Sequence, residues 1–224
     1  MLKPQKRLSK RELKQDKLVT AWFKANDYIS HHSRDLLLGA IAVAVVVAGV
    51  LWYNYYQKSQ ENVASVLLAH GKTSYENQQT QATIDTLLKL VNNYSGTPSA
   101  AVGTVYLANA FFQKKSYAEA EKYYRQYLDD YGDDPVLRIA AAAGVAATYD
   151  ERGDFAKAGE LYEKAAKDHR DSFRAPELYM QAARCYHLSK KSTEAARVLA
   201  LLLKEYPEAK QAEEAKLLQA ELRS

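Results

Sequence analysis

The sequence predicts an all-α protein: one transmembrane helix, then an α-solenoid of three to four helix pairs closed by a C-terminal cap helix. Three observations predict it. Ala, Leu, Lys, Glu and Tyr dominate the 224 residues, with only 9 Gly and 5 Pro, a balance that favours helices over a turn-rich β fold. An uncharged stretch of 22 residues runs from Leu36 to Gln57. Beyond it, a pattern of small and aromatic residues recurs at intervals of 36 to 38.

The charge pattern divides the chain into 1–34, a basic arm, 35–57, the membrane segment, and 58–224, the repeat domain. The arm carries nine Lys/Arg (Lys3, Lys6, Arg7, Lys10, Arg11, Lys14, Lys17, Lys24, Arg34) against Glu12, Asp16 and Asp27. Residues 58–224 hold 22 basic and 23 acidic residues, so the net charge of +4 belongs to one end and does not describe a nucleic-acid surface. A single cysteine, Cys185, excludes an internal disulfide framework and a cysteine metal cluster, and its place beside Tyr186 suggests packing.

Leu36–Tyr53 reads LLLGAIAVAVVVAGVLWY. At about 1.5 Å per residue, roughly 20 such residues span a bilayer core of about 30 Å. A buried core helix of this length would rarely lack polar residues on every face. Trp52, Tyr53, Tyr55 and Tyr56 follow as interfacial anchors. The stretch exceeds a signal-peptide core and is followed by bulky tyrosines, so it reads as an uncleaved anchor. Basic residues crowd before it and only Lys58 and Lys72 follow closely, which predicts a cytoplasmic N-terminus and an extracytoplasmic repeat domain, periplasmic in a bacterium. Residues 1–11 are expected to be disordered. Leu18, Val19, Trp22, Phe23, Ala25 and Ile29 share one side of a short basic helix, which suits either the inner leaflet or a membrane partner.

The repeats align on a common skeleton. The first clear copy has Leu107, Ala108 and Phe111, then Ala120, Tyr124 and Tyr127. The second has Val145, Ala146 and Tyr149, then Ala158, Tyr162 and Ala165. The third has Ala182, Ala183 and Tyr186, then Ala195, Leu199 and Leu202, with Pro207 closing it. Start points differ by 38 (146−108) and 37 (183−146). A weaker copy, Gly71, Lys72 and Tyr75, then Ile84, Leu88 and Val91, precedes them by 36 (108−72). Small residues belong where two helices approach closely. The aromatic three positions on is expected to fill space beneath the next repeat. Gly153 supplies the turn in the middle copy, whereas Lys115 and Lys190 stand in the matching turns, which should be strained or differently shaped.

This skeleton resembles the tetratricopeptide repeat, two antiparallel helices of about 34 residues; another α-solenoid with similar pairs is the alternative. The tail KQAEEAKLLQAELRS reads as a solvating cap helix. The resemblance implies a concave groove lined by the first helix of each pair. Carried over position by position, it indicates Val105, Asn109 and Phe112, then Ala143, Ala147 and Asp150, then Met180, Arg184 and His187. Of the family's clamp for a free carboxylate, only Asn109 matches, so a chaperone-tail ligand is not implied.

Signs of chemistry are lacking. No phosphate loop, GxSxG, HExxH or CxxC is present, so no enzyme, cofactor, metal or small-molecule substrate is expected. His31 and His32 fall at the membrane edge, and Asp129, Asp130, Asp133 and Asp134 flank Gly132 as a solvated turn without calcium-loop spacing.

A basic arm containing Trp22 and Phe23, one span, the aromatic WYNYY exit and translocated repeats together resemble the YfgM-type ancillary subunits of the SecYEG translocon. That resemblance implies protein partners at the translocon, periplasmic chaperones or emerging chains, with the arm and span docked in the bilayer. The alternative is an envelope-assembly or cell-division scaffold that binds folded partners.

Overall fold

The computed structural model describes residues 10–222, with side chains from Val19 onward except Ala25. Among the described residues there are ten helices and no strand. The expected disorder of 1–11 lies outside the described residues up to position 9; Lys10 and Arg11 open the first helix. The chain divides after Gln57 into two units.

In the first unit, α1 (Lys10–His31) is separated from the start of α2 (Ser33–Glu76) by His32 alone. Among the described residues α2 alone is long and apolar enough to cross a membrane, and none of its most apolar stretch is buried. The helix does not stop where the apolar run stops. It continues to Glu76 and thereby supplies the first helix of the repeat domain.

The second unit alternates two kinds of helix. The A helices are the end of α2 (residues 58–76), α4 (Pro98–Gln113), α6 (Pro135–Glu151) and α8 (Ala175–Leu188). The B helices are α3 (Thr80–Asn93), α5 (Tyr117–Asp130), α7 (Phe155–Asp168) and α9 (Ser192–Glu205), and α10 (Ala212–Glu221) packs on α9. Successive helices from α3 onward pack on one another, and α4 also meets α6, the arrangement of a stacked solenoid. There are thus four pairs and a cap. Glu61 ties the first pair in, accepting from the Ser99 hydroxyl at 2.6 Å and the Ser99 amide at 3.2 Å.

Turns within the pairs share one geometry. Gln78, Lys115, Gly153 and Lys190 all have positive φ, between 59° and 81°. Their amides bond back to Tyr75, Phe112, Asp150 and His187, and the next amides to Ser74, Phe111, Tyr149 and Tyr186, at 2.9–3.0 Å throughout. The two lysines therefore adopt the glycine geometry at a cost of about 1 kcal/mol each, and the turns are strained without being reshaped.

These four residues also correct the register of the first copy. Their spacings are 37 (115−78), 38 (153−115) and 37 (190−153). The equivalent of Ala108 is therefore Gly71, not Lys72, and the inward positions of α3 are Thr83, Leu87 and Leu90, all fully buried. The physical reason is closeness. A Cβ at Gly71 would stand 2.3 Å from Leu87, so only glycine permits that contact.

Between pairs, proline opens the A helices. Thr97 caps α4 through the Ala100 amide, and Asp134 caps α6 through the amides of Val136 and Leu137, so part of the acidic turn is a helix cap.

Candidate functional site

The repeats are joined by hydroxyls that reach backward. Tyr149 on α6 donates to Glu121 on α5 at 2.8 Å, and Tyr186 on α8 donates to Glu163 on α7 at 2.9 Å. Phe111 stacks on Tyr123 of its own pair, with ring centres 5.4 Å apart. The repeat aromatics therefore serve their own or the preceding pair, not the next one. A buried phenol usually finds a hydrogen-bond partner, and for Tyr149 and Tyr186 the carboxylates stand on the preceding B helix.

Glu163 is 5% exposed and also takes Arg197 in a two-pronged pair, at 2.8 and 2.7 Å, with Lys167 at 2.5 Å. Burial works to raise its carboxyl, but hydrogen bonds from Arg197, Lys167 and Tyr186 outweigh that and hold it at about 2. Glu121 has a similar set, Tyr149, Arg125 and Arg152, in a more open position. Burial pushes the Cys185 thiol up to about 12, so it is a packed side chain and no nucleophile.

The groove lies across the A helices. A concavity of about 440 Å³ is lined by Asn109 of α4, by Ala140, Ala143, Gly144 and Ala147 of α6, and by polar groups at the start of α8. Its floor is low because Gly144 lies under the Tyr124 ring, where a Cβ would come within 2.4 Å. Tyr124 donates to the Asn109 carbonyl oxygen at 2.6 Å, which orients that amide. Arg174 and Glu177 face each other at 3.6 Å on the rim, beside Gln181.

Three of the nine groove residues expected from sequence, Asn109, Ala143 and Ala147, line this concavity. Val105 and Met180 are buried in the core at 3% and 6% exposure, because neighbouring helices cover those faces of α4 and α8. Phe112 packs edge-on against Tyr117 across its turn. Asp150 and Arg184 form an ion pair with each other, bridging α6 and α8. His187 faces Glu221 of the cap helix at 3.7 Å. Sequence reasoning missed Ala140, Gly144, Glu177 and Gln181. Ala140 and Gly144 were legible, one turn from Ala143 and Ala147; the α8 residues depend on how that helix is set against α6. Trp22, Phe23, Trp52, Tyr53, Tyr55 and Tyr56, expected from sequence at a membrane interface, are all exposed, between 50% and 76%. Among the described residues no cluster of His, Cys, Asp or Glu could hold a metal ion.

Comparison with known proteins agrees with this architecture. Residues 21–175 match the tetratricopeptide repeat-like domain family, and residues 146–210 match the tetratricopeptide repeat family. A variant of a Podosopora anserina protein, described as a kinesin light chain with nearly identical TPR-like repeats, superposes with a TM-score of 0.50 at 19% identity. That superposition covers 75% of this chain and 93% of the other. A tetratricopeptide repeat protein from Parabacteroides merdae gives 0.44 at 14% identity, over 71% and 72% of the two chains. No curated protein sequence matches. At such identity the superposition speaks to the fold alone; the match over 21–175, with four equivalent turns, speaks to the family: this chain belongs to the tetratricopeptide repeat-like domain family.

Proposed function

We propose that the protein is a membrane-anchored, non-catalytic adaptor whose repeat domain holds polypeptides in the groove across α4, α6 and α8, at the protein-export translocon. One observation carries the adaptor reading: a floor of Ala140, Ala143, Gly144 and Ala147 that admits a chain closely, under a rim of amides and paired charges. Repeat domains of this family suit protein–protein interaction, and the site offers no nucleophile or acid–base pair. The fully exposed apolar stretch of α2, with basic residues before it, supports a single span with the N-terminus cytoplasmic and the repeats extracytoplasmic. The translocon assignment rests on the same layout.

The test is purification of the tagged full chain from native membranes in mild detergent. Translocon subunits with chaperones are the expected companions, and their absence beside a different envelope complex at fixed ratio overturns that assignment. A reporter active only outside the cytoplasm, fused after Ser224, should be active; silence overturns the topology.

The rim favours a second reading. Arg174, Glu177, Asn109 and Gln181 suit a specific hydrogen-bonded surface better than a promiscuous apolar client, which fits a scaffold for one folded partner. Saturable binding of unrelated apolar peptides to the repeat domain would decide against the scaffold.

A further inference from the structure

A second concavity shares no residue with the groove. It is about 210 Å³, lies between α5 and α7 over α6, and is lined by Arg125, Arg138, Lys164 and His169 around an apolar floor that includes Leu128 and Val145. Asp168 is the one carboxylate in its lining. Arg125 shares Glu121 with Arg152, and Arg138 gives its Nε to the Gly132 carbonyl. No ion pair holds Lys164 among the described residues.

Periodicity shows that this charge belongs to one junction. With spacings of 37 and 38, the positions of Arg125, Arg138, Lys164 and His169 are Leu88, Ala100, Gln126 and Tyr131 one repeat earlier. One repeat later they are Glu163, Ala175, Leu201 and Tyr206. Neither neighbouring junction has a Lys or Arg there. The tyrosines are also structural. Tyr131 donates to the Ser95 carbonyl, and Tyr206 donates to the Arg170 carbonyl, each 36 residues back. At the middle junction the matching carbonyl, Gly132, is taken by Arg138 instead, and a smaller imidazole stands where the phenol would be. On α7, Ala165 replaces the bulk of Tyr127 and Leu202. Two reductions in volume thus open the pocket where three fixed positive charges gather.

We propose that this pocket binds a phosphate group, carried by an anionic phospholipid headgroup or free in solution. Its volume holds one tetrahedral oxyanion with room left for an attached carbon arm. Arg125 and Arg138 keep N–H groups beyond those given to Glu121 and Gly132, Lys164 adds a point charge, and His169 lines the same pocket. The apolar floor accepts the carbon arm of a phosphate ester.

The test uses the full chain in a maltoside detergent, titrated with inorganic phosphate and with dihexanoyl phosphatidylglycerol. Saturable binding of at least one is expected. Lys164→Gln, an exposed change outside the core, should weaken it about tenfold. His169→Tyr should abolish it by filling the pocket. Tighter binding of the lipid identifies the headgroup as the source; equal or tighter binding of phosphate identifies the free anion. Affinity unchanged in both variants, or no saturation by either compound beyond a matched chloride control, overturns the proposal.

Discussion

Two junctions of the solenoid solve the same problem one helical turn apart. Tyr149 and Tyr186 occupy equivalent positions, yet the first finds Glu121 and the second Glu163, which are not equivalent to each other. The repeat-equivalent of Glu121 is Gly159 (121+38), over which the Tyr186 ring lies so closely that a Cβ would meet it at 3.0 Å. Removing that side chain lets the phenol pass inward and reach Glu163, one turn further along α7. The result is a network with 7% side-chain exposure at Glu163 against 16% at Glu121. Position along one turn, more than residue type, sets how dry the carboxylate is, and dryness sets what its loss costs.

That difference can be broken directly. Glu163→Ala leaves the buried Tyr186 hydroxyl without its acceptor, while the half-exposed Arg197 and Lys167 can turn to water, and should cost about 2 kcal/mol in urea unfolding. The same group predicts acid sensitivity. Its folded-state carboxyl is held at about 2, below its ordinary value, so its stabilisation is complete above the unfolded value near 4.5. It is lost as pH falls from there through 2, so the gap in midpoint between wild type and Glu163→Ala should close over that window. Gly144→Ala places a methyl within 2.4 Å of the Tyr124 ring and should cost about 2 kcal/mol. Gly159→Ala, at 3.0 Å, should cost less and would show how far Tyr186 can give. Glu121→Ala, whose arginines can turn to water, should cost about 1 kcal/mol. The smallest effect has the opposite sign: Lys115→Gly and Lys190→Gly should each raise stability by about 0.5–1 kcal/mol, read as a rise in melting temperature. If both changes are neutral, the lysine side chains offset the strain.

The groove shows where reading the chain runs short. Asn109, Ala143 and Ala147 were legible because each belongs to an A helix at the expected position. Val105 and Met180 have the same periodic address but are covered by neighbouring helices, and periodicity along one helix carries no record of what lies across from it. The first copy slipped by one residue for a related reason. Lys72 and Tyr75 imitate the small-to-aromatic spacing, whereas the contact that defines the register is Gly71 against Leu87.

By itself the sequence determined the helical class, the repeat length, the register of the three clear pairs and the apolar length of α2. These follow from local properties: which residues tolerate a helix, where a positive φ or a cap interrupts it, and how many residues lack charge. Only the tertiary structure decided that α2 runs on into the first pair, which way the tyrosines reach, and which faces of the A helices stay open. It also placed the basic pocket at a single junction. Those outcomes depend on pairs of residues some 23 to 36 positions apart. For them, a shift of one turn exchanges one partner for another at no local cost.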